Sequence, residues 1–201
     1  ANNNLKLKIR VLSSDDVRQA LPMKAAIEEC KRAYSRLSNG NVEMPLRSRV
    51  HVLEQDGLLL TMPAALLEDG EMAVKLVTVF GKNPTRNLPL IHAVVLVLDA
   101  ENGQVLSLMD GEVLTAVRTG AGVGAATDFL APPGANSVAI IGSGKQAGDQ
   151  LDAVCSVRDI EQAWVYSPNH EHAQSFANKM SDVGPIPKDV RAVYSSAKAL
   201  K

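Results

Sequence analysis

The chain has 201 residues, 46% of them hydrophobic and 21% charged, with a formal net charge of −1. That length holds one large domain or two small ones around a sizeable core, and the balanced charge gives no electrostatic footing for nucleic acid or an anionic membrane surface. Apolar runs such as "AVVLVLDA" (93–100) fall well short of the roughly 20 residues of a membrane helix, and "ANNNLKLKIR" shows no apolar stretch of a signal peptide.

"SSDDVRQALPMKAAIEECKRAYSRLSNGN" opens on Ser and Asp capping candidates, continues with apolar residues at helical spacing and closes on Asn-Gly. The pattern predicts one or two helices between about 14 and 38. From Met44 to Ala100 the chain changes to short runs rich in Val, Leu and Thr. "RSRVHVLE", "GLLLTMPAAL", "MAVKLVTVFG" and "HAVVLVLDAENGQVLSLMD" read as strands, the last folded at Asn102-Gly103 into a hairpin. A mainly antiparallel meander behind an N-terminal helix makes an α+β domain. Asp110 can cap a helix over about 111–129, and "APPGAN" beyond it is the best boundary candidate. The expected domains are therefore 1–130 and 131–201.

After the boundary the chain alternates. "NSVAIIG", "EQAWVYS" and "VRAVYS" read as strands at 137–142, 162–167 and 190–194, with helical patterns between them. This is βαβαβ, the opening of a doubly wound parallel sheet. Cys30 and Cys155 lie far apart with no C-x-x-C spacing, which reads as free thiols of a reducing cytosol.

Two glycine clusters compete for the role of phosphate cradle: "LTAVRTGAGVGAA" (114–126) and "AIIGSGKQAG" (139–148). A G-x-G-x-x-G/A motif carries meaning only where it leaves a strand and opens a helix. Gly142-Ser143-Gly144-Lys145-Gln146-Ala147 meets that condition. Gly142 permits the tight turn, Gly144 lets a pyrophosphate approach the backbone, and Ala147 is small enough for helix–strand packing. Gly120, Gly122 and Gly124 instead lie inside a helical pattern, where each costs about 1 kcal/mol relative to alanine. They read as a surface for close packing. A second constellation is three cations among apolar neighbours: Arg47, Lys75 and Arg118. An arginine fork suits a carboxylate, and a lysine in a buried strand can exchange protons. Equally, Lys75 can snorkel from an edge strand and the arginines can serve surface ion pairs.

"AVKLVTVF", "LDAENG", "LMDGEVLTAVRTGA" and "IIGSGKQA", in that order, resemble the ornithine cyclodeaminase/μ-crystallin family, from about Met44 to Tyr166. The resemblance implies a substrate-binding and dimerisation domain, a Rossmann domain and a homodimeric cytoplasmic enzyme that uses NAD or NADP. Its chemistry is oxidation of amino acids, reduction of cyclic imines, or both in sequence to cyclise a diamino acid with loss of ammonia. A non-catalytic NADPH-binding protein is the alternative the family offers. By position, Arg47 and Arg118 resemble the ligands of the substrate carboxylate, and Lys75 the lysine that contacts substrate and handles protons. Gly142, Ser143, Gly144, Lys145, Gln146 and Ala147 fall where the dinucleotide phosphates are held, Ser167 at the ribose, and Arg118 where it can also face the cofactor. Two departures matter. Leu90 stands where cyclodeaminating members carry threonine, so imine reduction ranks before amino-acid dehydrogenation and ornithine cyclisation. Ser167 stands where they carry an acidic ribose ligand, which leaves the choice between NAD and NADP open. The family's catalytic aspartate falls beyond Lys201. Three strands are half of the usual sheet, so the sequence is expected to be part of a longer protein and inactive alone.

Overall fold

A computed structural model describes residues 8–66, 68 and 70–200. The chain divides into two compact units, one of Ala1–Ala20 with Tyr34–Leu114, the other of Leu21–Ala33 with Thr115–Lys201.

The first unit is built on one sheet. Its elements in chain order are β1 (Arg10–Leu12), α1 (Ser14–Ala20), the end of α2 (Met23–Ser38), β2 (Val42–Glu43), β3 (Ser48–Val52), β4 (Gly57–Leu66), β5 (Glu71–Phe80), β6 (Ile91–Asp99) and β7 (Val105–Asp110). The order across the sheet is β1-β7-β6-β5-β4-β2, with β3 also paired to β4. All pairings are antiparallel except β1 with β7. α1 begins with a reciprocal cap: the Ser13 amide donates to Asp16 Oδ2 (2.8 Å) and the Asp16 amide to Ser13 Oγ (3.3 Å). The β6–β7 turn is closed by the Gly103 amide donating to the Asp99 carbonyl (2.8 Å), with Gly103 at φ +76°, a conformation that favours glycine. The meander, the Asn102-Gly103 turn and the paired N-terminal helices all follow the sequence pattern. β1 and β2 do not, because strands of three and two residues are too short to show a period.

In the second unit, α3 (Gly111–Leu130) enters from the first; Asp110 Oδ1 accepts the Val113 amide at 2.8 Å, as a cap should. Then come β8 (Ser137–Ile141), α4 (Ala147–Val157), β9 (Gln162–Tyr166), α5 (His170–Met180), β10 (Asp189–Val193) and α6 (Ser196–Ala199). The strands form a fully parallel sheet in the order β10-β9-β8, the βαβαβ opening of a doubly wound fold. Leu151, Ala163, Val165 and Ala173 are completely buried at its centre.

The glycines of α3 pack as a surface. A Cβ on Gly120 would lie 2.4 Å from the Asp149 carbonyl oxygen, and one on Gly124 would lie 2.7 Å from Ile27 Cδ1 and 3.1 Å from Ala153 Cβ. At Gly120 backbone approaches backbone, and at Gly124 the close neighbours are the side chains of Ile27 and Ala153. At the far end of α3, Arg158 donates to the carbonyls of Thr127 (3.1 Å), Asp128 (2.8 Å) and Ala131 (2.8 Å), capping the orphan C-terminal groups. Asp128 also accepts from Lys31 (2.7 Å) and Arg158 Nη1 (3.0 Å). Among the described residues no helix is long and apolar enough to cross a membrane.

Candidate functional site

The strongest concentration of site geometry lies at the carboxyl end of β8. The Gly142 amide donates to the Tyr166 carbonyl (2.7 Å), so the parallel ladder runs one residue past the strand. Gly142 then turns out of the sheet at φ +108°, a conformation that a side chain would oppose. The Ala147 amide donates back to the Gly144 carbonyl (3.0 Å), closing the loop onto α4, and buried Ala147 starts that helix. A Cβ on Gly144 would meet no atom within 4 Å. Open space therefore stands over the peptide that a pyrophosphate must approach, and α4 points its N-terminus at the same place. A concavity of about 450 Å³ adjoins the loop, lined by Val138, Ile140, Gly142, Gly144, Gln146 and Gln150 among others. Lys145 and Gln146 are exposed on its rim, and Ser143 is half-buried.

Ile141 pairs with Tyr166, and Tyr166 with Val193, so the three parallel strands end level. Gly142, Ser167 and Tyr194 are accordingly the first residues past three neighbouring strand ends. Ser167 is half-buried and carries no charge. The Asn169 side chain caps α5 by accepting the amides of Glu171 (2.9 Å) and His172 (3.3 Å). His170, the first residue of α5, stacks on Tyr194 with ring centroids 3.8 Å apart and planes 17° from parallel. Its Nδ1 is buried with no hydrogen-bond partner. Reading the sequence did not single out His170 or Tyr194. The available signal was positional: His170 follows the end of the predicted 162–167 strand, and Tyr194 closes the predicted 190–194 strand.

Two of the cations belong to the first unit. Arg47 immediately precedes β3, whose Ser48 opposes Thr61, while Lys75 opposes Met62. Arg47 thus lies one residue outside the β3–β4 ladder, at the level of Met62, which Lys75 opposes from the other side of β4. Lys75 is half-buried and shares a sheet face with Met62 and Val95, its cross-strand partners. Arg47 is exposed. Arg118 belongs to the second unit, on α3; its side chain is exposed and its carbonyl accepts from Cys30 Sγ at 3.7 Å. Apolar sequence neighbours thus enclose only the lysine in part, because both arginines sit where their elements face outward.

Neither cysteine is poised as a nucleophile. Burial pushes the Cys155 thiol up to about 11, with the Asp152 charge adding to it. Burial likewise raises Cys30, opposed by the Arg118 charge. Among the described residues no cluster of His, Cys, Asp and Glu could hold a metal ion.

The chain matches the ornithine cyclodeaminase/mu-crystallin family over residues 8–201. It is 32% identical to a Delta(1)-pyrroline-2-carboxylate reductase of Bacillus cereus over 172 residues, covering 86% of this chain and 53% of the relative. It is 32% identical to the ketimine reductase mu-crystallin of Rattus norvegicus, covering 94% of this chain and 60% of the relative. Among solved structures, it resembles Delta(1)-pyrroline-2-carboxylate reductase of Thermococcus litoralis in complex with NADH and L-proline, at 39% identity and a TM-score of 0.86. That likeness covers 95% of this chain and 58% of the other. An archaeal alanine dehydrogenase dimer with bound NAD gives a TM-score of 0.84 at 28% identity, over 95% of this chain and 57% of the other. The chain therefore spans somewhat over half the length of these relatives.

Proposed function

The chain belongs to the ornithine cyclodeaminase/mu-crystallin family, and from that premise we propose that its protein is an NAD(P)-dependent oxidoreductase acting on an α-amino acid or its cyclic imine. The observation that carries the proposal is the strand–Gly142-Ser-Gly144-Lys-Gln-Ala147–helix turn, with open space over Gly144. That opening is what a dinucleotide pyrophosphate needs, and two similar structures were solved with NADH or NAD bound. When bound, the dinucleotide supplies or accepts the hydride.

In the reducing direction this chain's own residues do the following. Arg47 and Arg118 hold the substrate carboxylate, which fixes the C=N carbon beside the hydride donor and converts binding into orientation. Lys75, half-buried on its strand, places the substrate and passes a proton to or from its nitrogen. The Gly142–Ala147 loop and the N-terminus of α4 fix the phosphates, with Lys145 and Gln146 at their rim. Residues 1–130 form the substrate-binding and dimerisation part and 131–201 the opening of the dinucleotide-binding part, in a cytoplasmic homodimer. Imine reduction leads among the family's activities and ornithine cyclisation comes last, because exposed Leu90 stands where the resemblance implies a threonine in the cyclising members.

The test is a panel of cyclic imino acids and free amino acids, followed at the NAD(P)H absorbance with the protein that carries this sequence. Turnover of Δ1-pyrroline-2-carboxylate or a larger-ring homologue, faster than any amino acid, supports the proposal. Saturable NAD(P)H binding with no turnover of any of them establishes the non-catalytic reading instead.

A further inference from the structure

The end of β9 is where an open parallel sheet reads the adenosine ribose of a dinucleotide: a carboxylate there takes the 2′-hydroxyl, and a cation or hydrogen-bond donor takes a 2′-phosphate. In this chain the strand ends on Tyr166-Ser167-Pro168-Asn169-His170, with no acid in the turn. Ser167 offers a hydroxyl, and beyond Asn169, whose Oδ1 caps α5, comes the imidazole of His170. Its placement is specific. The ring lies flat on Tyr194, the first residue past the neighbouring β10, so two adjacent strand ends are joined by one stacked pair. Nδ1 is buried and finds no acceptor, so the proton of the neutral ring belongs on Nε2, leaving that nitrogen as the donor. Tyr194 is itself 76% exposed, so the face turned away from His170 is open.

Packing alone accounts poorly for these features. A stack that merely anchored the β10 loop to α5 gains nothing from an imidazole with a buried, unpartnered nitrogen, since a phenyl ring would stack without that cost. Nor does it explain why the tyrosine stays largely in solvent. A ligand arriving beyond the strand ends uses both.

We propose that this chain selects NADP(H) over NAD(H), with Ser167 and His170 taking the adenosine 2′-phosphate and Tyr194 holding the imidazole in position. The proposal rests on the reading of Gly142–Ala147 as the pyrophosphate loop and adds which dinucleotide that loop serves. Ser167 makes it possible by lacking the charge that repels a phosphate. His170 supplies the donor through Nε2.

Calorimetric titration of the protein with NADPH, NADH, 2′,5′-ADP and 5′-AMP decides it without reference to turnover. NADPH should bind at least tenfold more tightly than NADH, and 2′,5′-ADP should exceed 5′-AMP in the same sense. His170→Phe keeps a ring to stack on Tyr194 and removes the donor. It should bring both ratios close to one by weakening only the phosphorylated ligands. His170→Arg should restore them, and Ser167→Asp should invert them in favour of NADH. Equal or tighter binding of NADH by the parent protein overturns the selection, as do ratios unmoved by His170→Phe. Failure of both dinucleotides to bind would refute the loop assignment itself, and the selection with it; binding of both without discrimination would refute the selection alone.

Discussion

Gly120→Ala gives the most direct reading of what the first glycine cluster does. The added Cβ would stand 2.4 Å from the Asp149 carbonyl oxygen and 2.7 Å from its carbonyl carbon. Both are backbone atoms of α4 and cannot rotate aside, so α3 and α4 must separate. Overpacking of this kind costs about 1–3 kcal/mol, and an immovable neighbour puts it in the upper half of that range. Against this stands about 1 kcal/mol gained by replacing glycine with alanine inside a helix. The second unit should therefore lose about 1–2 kcal/mol. Gly148→Ala is the matched control. Its new Cβ would meet only Met180 Cε and Sδ, each at 3.4 Å and at the flexible end of a side chain. That variant should stay within about 0.5 kcal/mol of the parent. Trp164, the one tryptophan, lies in β9 of the same unit and reports its unfolding by fluorescence in a urea titration. A Gly120→Ala midpoint equal to or above the parent's, with an unchanged slope, would refute the claim that this helix face needs its glycines for close approach.

Acid should unfold the second unit partly through Asp128. Hydrogen bonds from Lys31 and Arg158 hold its carboxyl below the usual carboxylate range, so its contribution is present at neutral pH and is lost as pH falls below about 4. Asp128→Asn should flatten that acid limb in thermal melts taken from pH 7 downward, and an unaltered limb would show the contacts to be inert. At the substrate side, Arg118→Lys keeps the charge and loses the two-pronged geometry, so kcat/KM should fall by more than about tenfold while dinucleotide affinity changes little. Lys75→Met should depress kcat with the protein still folded, because proton handling leaves with the ammonium group. Near-parent kinetics in both variants would return these cations to surface roles.

Much of this architecture was legible because its signals are local. The Asn102-Gly103 hairpin, the Asp110 cap and the strand–glycine loop–helix opening each sit within a dozen residues and each has one geometric solution. The close packing around Gly120 was legible for a related reason, since repeated glycines inside a helix need a compensating contact. β1 was not, because a three-residue strand held by parallel pairing to β7, almost a hundred positions away, leaves no period of its own. Exposure of Arg47 and Arg118 was equally hidden, since apolar neighbours in sequence say nothing about which way a strand flank or a helix face turns. The stack of His170 on Tyr194 joins two strand ends brought level by the register of β9 and β10. Only the sheet itself shows that.

The proposed activity requires a dinucleotide seated over Gly144, and one substitution isolates that requirement. A side chain at Gly144 would touch nothing within 4 Å in the fold itself. Gly144→Val should therefore leave stability close to the parent's while blocking the approach of a pyrophosphate to the backbone. Measured by calorimetry on the folded variant, affinity for NADPH and NADH alike should drop at least tenfold, a change of about 1.4 kcal/mol. An unchanged affinity, with the melting transition also unchanged, would place any dinucleotide elsewhere on the protein and contradict the assignment of Gly142–Ala147.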